Sequence, residues 1–134
     1  MQLLRLRPAF VDCEIIYATV QEGYRAQVEG APFHVIPDAN RWDKLSLMKC
    51  AVFTFLLLVK LRPDVVITTG AAPGYFAVRI ARLLGSRTIW LDSVANAEEL
   101  SLSGKMAEGQ VDLWMTQWEH LSGENGPEFH GRIL

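Results

Sequence analysis

The stretch Pro63-Asp64-Val65-Val66-Ile67-Thr68-Thr69-Gly70-Ala71-Ala72-Pro73-Gly74 decides the fold. Its first half is a β-branched run between Pro63 and Gly70, the pattern of a strand buried on both faces of a parallel sheet. Its second half is a turn of small residues, after which Phe76, Val78, Ile80, Ala81, Leu83 and Leu84 recur at helical spacing. The spacing predicts a helix over Tyr75–Leu84 with Arg79 and Arg82 in solvent and Gly85 as its stop. Gly70 and Gly74 permit torsions and close approaches that a side chain forbids. Amide groups at a helix start carry partial positive charge, so phosphate or a sugar hydroxyl suits the hollow they form. The pattern is neither the dinucleotide-binding nor the P-loop glycine motif, and a purely geometric strand-to-helix turn reads the same way.

Working outward, strands and helices alternate. Met1–Phe10 reads as the end of a helix, Cys13–Ala18 and Phe33–Ile36 as strands, Pro37-Asp38-Ala39-Asn40 as a turn, and Asp43–Leu61 as a long helix. Thr88–Asp92 and Val111–Met115 are further strands, separated by a polar loop and a short helix near Ser101–Met106. The expected class is α/β: a Rossmann-like parallel sheet with helices on both faces. With 134 residues, half of them apolar, the chain is long enough for one domain, 1–134, with a core of its own.

Composition excludes more than it assigns. Net charge is −2 and the 13 basic residues are scattered, which leaves no footprint for nucleic acid. Cys13 and Cys50 lack metal-ligand spacing and fit buried thiols in a reducing cytoplasm; no metal or cofactor is expected. The amino terminus lacks the apolar core of a secretion signal, so the expected location is cytoplasmic. Cys50–Val59 is apolar nearly all round, with Thr54 the polar interruption and Lys44, Lys49, Lys60 and Arg62 flanking it. The run is shorter than the roughly twenty residues that span a bilayer. Burial between sheet and neighbours is the default expectation; the alternative is an interfacial face resting on an anionic leaflet.

The second block with chemistry runs from Asp92 to Lys105. Ligands of open α/β sheets bind beyond the carboxyl ends of the strands, and Asp92 ends one strand as Gly70 follows its neighbour, so the two loops should share one crevice. There Asp92 can accept a hydroxyl or a proton, Ser93, Asn96, Ser101 and Ser103 can hold hydroxyls or phosphate, and Lys105 can neutralise a diphosphate. Simple helix capping by Ser101 or Asn96 fits the same residues.

These residues carry a resemblance. The Gly70–Gly74 loop, Asp92-Ser93, Leu100-Ser101-Leu102-Ser103-Gly104-Lys105, and Asp112-Leu113-Trp114 followed by Gln117-Trp118 resemble the oligosaccharide-biosynthesis family typified by the membrane-anchoring subunit of the two-subunit UDP-GlcNAc transferase. Bacterial capsule and exopolysaccharide relatives share it, and the family is similar to the N-terminal, acceptor-binding half of GT-B glycosyltransferases. The resemblance implies an acceptor subunit, inactive alone, whose separate donor-binding subunit holds the UDP-sugar. It implies a polyprenyl-diphosphate-linked saccharide as acceptor and a peripheral position at the cytoplasmic face of a membrane. In that frame Gly70, Ala71, Pro73, Gly74, Ser93, Asn96, Ser101, Ser103 and Lys105 bind acceptor or phosphate, and Asp92 is the catalytic candidate. Trp114 belongs to the core, and Trp118 is placed to stack on a sugar ring. Phe129-His130-Gly131-Arg132-Ile133-Leu134 resembles the terminus with which family members contact their partner, or reads as a last core strand. Relative to the family the first strand and its glycine loop are missing, along with the histidine expected there; His34, His120 and His130 do not replace it. The sheet should then either pair the Ile15 strand with the Val66 strand or leave a gap between them. Other readings are a non-catalytic scaffold that recruits the donor-binding subunit and an unrelated flavodoxin-like binding domain.

Overall fold

A computed structural model describes residues 2–28, 30–38 and 42–132. Met1, the Ala39-Asn40 part of the expected turn and the Ile133-Leu134 terminus lie outside the described residues. The elements are β1 (Tyr17–Thr19), β2 (Phe33–Val35), α1 (Lys44–Leu61), β3 (Val65–Thr68), α2 (Ala71–Leu83), β4 (Arg87–Leu91), α3 (Leu102–Met106), β5 (Leu113–Thr116) and β6 (Glu128–Phe129). Short 3₁₀ helices cover Gln2–Phe10, Glu22–Val28 and Glu119–Leu121. The first of these replaces the expected α-helical end, in keeping with Pro8 inside it, which can donate no amide hydrogen bond.

All strand pairs are parallel, as expected, but they form two sheets. One is β1-β2, with Tyr17 opposite Phe33; the other has the order β3-β4-β5-β6. Among the described residues β1 does not pair with β3, so of the two expected outcomes the gap is the one observed. β3 is therefore an edge strand rather than one buried on both faces, and Val65 is 45% exposed. The hydrophobic clusters divide in the same way: Tyr17, Val28 and Phe33 form one, and Val78, Trp90, Ala107 and Val111 the other.

The helix boundaries follow from their caps. Asp43 caps α1, its carboxylate accepting the Leu45 amide at 3.0 Å, and Arg62 ends the helix in a left-handed conformation before Pro63. At the end of α2 the Gly85 amide bonds to Arg82 O (3.1 Å) and the Ser86 amide to Ala81 O (2.9 Å), with Gly85 at φ 94°. That is a Schellman closure, and it makes Gly85 the stop the sequence predicted. Arg79 and Arg82 are exposed as expected. α2 packs on β3 and β4 and takes α1 on its side.

Two expectations about burial are overturned. Cys50 is buried but Cys13, in the turn after the first 3₁₀ helix, is exposed. α1 is not enclosed: only the stripe Cys50, Thr54 and Leu58 is buried. One helix neighbour covers one stripe, and hydropathy alone does not say how many neighbours a helix has.

Asp112, just ahead of β5, ties that strand to β4. Its carboxylate accepts the Thr88 amide (2.8 Å) and hydroxyl (3.1 Å). Those bonds, assisted by Arg82 and Arg87, hold the carboxyl below its usual range. A folded-state pKa lowered in this way contributes stability above the unfolded value, and the contribution is lost as pH falls through the folded value. Asp112→Asn is expected to be less stable than the parent in urea at neutral pH, and the difference should close as the pH falls below the ordinary carboxylate range.

Candidate functional site

Because β3 to β6 run parallel, the segments after Thr68, Leu91 and Thr116 emerge at one end of the sheet. The first of these is tighter than expected. α2 begins at Ala71, four residues ahead of Tyr75, so Gly70 is its N-cap and Ala71–Gly74 form its first turn. Pro73 is tolerated there because a first-turn residue has no amide partner within the helix. Gly70 takes φ 135° and Ala71 φ 66°, and no side chain caps the helix. The Gly70 amide donates instead to the Thr68 hydroxyl at 3.2 Å. Gly74 supports the close approach of helix and strand, since a Cβ there would overlap Thr68 Oγ1. Pro73 supplies no donor, so the first-turn amides that can meet an anion are those of Ala71 and Ala72.

The second segment is organised by Asp92, which is 1% exposed. One carboxylate oxygen accepts the Trp90 indole N–H (3.1 Å) and the Ser101 hydroxyl (2.7 Å). The other accepts the Ser101 amide (3.1 Å) and the Asn96 side-chain amide (3.3 Å). Ser101 in turn caps α3 by accepting the Gly104 amide at 2.9 Å, so the capping alternative holds for Ser101, while Asn96 serves Asp92 rather than a helix. Gly104 has no room for a side chain, because a Cβ there would press into Asp92 Oδ1 and Ser101 Oγ. Four donors satisfy a carboxylate without a counter-charge. Its position two residues beyond Trp90, on the same face of the strand, lets the carboxylate hold the loop together.

Trp90 joins the two segments. Its indole lies 3.8 Å from the position a Gly70 Cβ would take, and its N–H reaches Asp92. The two segments expected to meet beyond the strand ends thus pack together as one unit around Gly70, Trp90 and Asp92. The remaining candidates are peripheral to that unit. Ser93 accepts the Ala95 amide at 3.2 Å and is half-buried, as is Ser103. Lys105 is exposed and ion-paired to Glu99 at 2.9 Å, which holds the Glu99 carboxyl below its usual range.

Sequence reasoning missed the fasteners from β5. Gln117, fully buried, donates to Asp92 O at 3.0 Å; the Trp114 indole donates to Gly104 O at 2.9 Å and the Trp118 indole to Val94 O at 2.8 Å. The register that sets Leu91 opposite Met115 is the signal that places Gln117 beside Asp92. Trp118 is less open to a sugar than expected, because Arg132 lies over its ring at 4.9 Å and His120 sits 6.0 Å from it. His120 also meets Ala97 O, which brings it to the rim of the loop. A hollow of about 540 Å³ lies elsewhere, at the amino ends of the strands, lined in part by Arg62, Asp64 and Arg87.

The family comparison decides what this unit belongs to. Residues 43–133, which include both segments and all four strands of the larger sheet, match the family described as oligosaccharide biosynthesis protein Alg14 like. The chain belongs to the Alg14-like family. Among curated proteins it is similar to the UDP-N-acetylglucosamine transferase subunit ALG14 of Mus musculus, 30% identical over 61% of this chain and 41% of that protein. It is also similar to the subunit of the same name from Candida glabrata, 35% identical over 37% of this chain and 22% of that protein. The chain therefore spans well under half the length of these relatives. Among solved structures it resembles Acinetobacter baumannii MurG, with TM-score 0.72, 12% identity, and coverage of 98% of this chain and 41% of that one. The fold is accordingly the α/β, parallel-sheet architecture of one half of a GT-B glycosyltransferase.

Proposed function

We propose that this Alg14-like chain is the acceptor-binding and anchoring subunit of a two-component glycosyltransferase. The reaction moves a sugar from a UDP-sugar, held by a separate donor-binding subunit, to a hydroxyl of a polyprenyl-diphosphate-linked saccharide. The chain works as one domain, peripheral at the cytoplasmic face of a membrane. The observation that carries this reading is that the family match spans both strand-end segments and that the curated relatives are named as transferase subunits. The Gly70–Gly74 turn supplies the Ala71 and Ala72 amides to the acceptor diphosphate. Gly70 and Gly74 keep that helix start against the strand, and Pro73 stiffens it. Ser93 and Ser103 offer hydroxyls to the acceptor sugar, and Lys105 exchanges Glu99 for phosphate. Asp92, Asn96 and Ser101 act as positioning residues that hold the loop carrying those groups.

The saturated Asp92 carboxylate favours one second reading, a non-catalytic scaffold that recruits the donor-binding subunit. Calorimetric titration of the chain with a water-soluble, short-chain polyprenyl-diphosphate N-acetylglucosamine separates the two. Saturable binding is expected, and Lys105→Ala should weaken it by about tenfold, the value of one hydrogen bond to a charged group. Absence of binding at millimolar acceptor would reject the acceptor role and leave the scaffold.

A further inference from the structure

His120 lies in the 3₁₀ helix Glu119–Leu121, in the connection that follows β5, at the end of the sheet where the Gly70 and Asp92 segments also emerge. Its Nε2 meets Ala97 O. A carbonyl oxygen can only accept, so Nε2 carries the proton and Nδ1 keeps the lone pair of the neutral ring. Among the described residues Nδ1 has no hydrogen-bond partner, and the side chain is exposed. The charged residues on the elements around it are Glu119 on its own turn, Glu98 beside Ala97, and Arg132, which lies over the ring of Trp118. Among the described residues none of them is ion-paired to the imidazole. A histidine held at one nitrogen by a backbone carbonyl and open at the other is oriented to take a proton. Spacing in the sequence does not single this residue out; the course of β5 does.

Strand order sets a line across that end of the sheet. β3, β4 and β5 are successive neighbours, so the Ala71 and Ala72 amides after β3, Ser93 after β4 and His120 after β5 follow one another. Two strand spacings, about 10 Å, separate the first strand end from the last, which is comparable with the length of a hexose and the phosphate on its anomeric carbon. We infer that His120 is the general base of the sugar transfer. With the acceptor diphosphate on the Ala71 and Ala72 amides and the acceptor sugar over Ser93, a hydroxyl on the far side of that sugar meets His120 Nδ1. The hydroxyl oxygen forms the new bond to the anomeric carbon of the donor sugar. The bond from that carbon to the UDP oxygen breaks, and its electron pair leaves with UDP. The hydroxyl proton passes to Nδ1, and water removes it from the exposed imidazolium afterwards. The inference rests on the function proposed above and adds to it the group that takes the proton.

The test is UDP release by the purified pair of this chain and its donor-binding subunit, followed across pH with UDP-N-acetylglucosamine and a water-soluble polyprenyl-diphosphate-linked acceptor. His120→Gln keeps a side-chain amide donor for Ala97 O and loses the base, so kcat should fall about 100-fold or more with the acceptor KM unchanged. The parent's kcat should decline as the pH is lowered through the range in which imidazole takes up a proton, and the variant should lack that decline. In His120→Ala, added imidazole should restore part of the rate. A purely structural histidine would move the urea midpoint and the acceptor KM, and would leave the shape of the pH profile alone. Turnover of His120→Gln within about threefold of the parent, with the same pH profile, overturns the inference and leaves the glycosyltransferase reading standing. So does a loss of rate that keeps the parent's acid decline and that imidazole does not relieve in His120→Ala. A parent pair that releases no UDP overturns the glycosyltransferase reading itself, and this inference falls with it.

Discussion

Replacing Asp92 by alanine is expected to lower the unfolding free energy by about 3–5 kcal/mol, the cost of leaving several buried donors without their acceptor. The Trp90 indole N–H is the most costly of these, since Trp90 is fully buried. The Ser101 amide and hydroxyl lose partners in the same step, and α3 loses the orientation of its cap. A domain of this size has a total stability of roughly 5–15 kcal/mol, so the variant should unfold at a much lower urea concentration. Asp92→Asn keeps one acceptor oxygen but sets an NH₂ group against donors, and about half the loss is expected. Equal midpoints for parent and Asp92→Ala in urea unfolding would show that the carboxylate is not the organiser of this loop. They would return it to the list of groups available for acid–base chemistry.

Gly74→Ala is expected to cost about 2–3 kcal/mol, the upper end of the range for adding a methyl group to a filled space. The added carbon overlaps Thr68 Oγ1 and comes within 3.2 Å of Thr68 Cβ. Thr68 is buried and its hydroxyl holds the Gly70 amide, so rotating it away breaks the bond that shapes the start of α2. Thr68→Ala in the same chain removes that oxygen, and the double variant should recover at least about 1 kcal/mol relative to the sum of the single changes. Simple additivity would mean that helix and strand separate freely. The glycine would then be there for reasons other than close approach. The same displacement moves the Ala71 and Ala72 amides, so acceptor binding should weaken in Gly74→Ala and return with the second change.

The sequence was most legible where a local interaction sets the outcome. Asp43 as the start of α1, Gly85 as the stop of α2 and Ser101 at α3 are each fixed by bonds within a few residues, and the pattern of apolar spacing located β3, β4 and β5. Legibility failed where the deciding partner is distant in sequence. α1 reads as enclosed because hydropathy records what a helix can bury and not what is there to cover it; here one stripe is buried, its flanks are half-buried and the opposite face is exposed. A last strand is one reading of the terminus, but its position at Glu128 and Phe129 is not legible, because two residues carry no periodicity and the pairing with β5 supplies the order. At the site, the grouping of the Gly70 and Asp92 segments followed from topology alone. The use of Asp92 did not, although Trp90 and Asp92 stand at i and i+2 on one strand and the sequence contained that hint. Gln117 and the indoles of Trp114 and Trp118 act across 10 to 25 residues and become visible only with the register of β5.

If this Alg14-like chain supplies the acceptor side of a split glycosyltransferase, as proposed, turnover requires both subunits. The most direct measurement is UDP release from UDP-N-acetylglucosamine with a polyprenyl-diphosphate-linked acceptor, for the chain alone, for its donor-binding subunit alone, and for the purified pair. Turnover is expected in the pair and in neither component alone, with Lys105→Ala raising the acceptor concentration needed for half-maximal rate. A donor-binding subunit equally active with and without this chain, or a stable pair that releases no UDP, would contradict it.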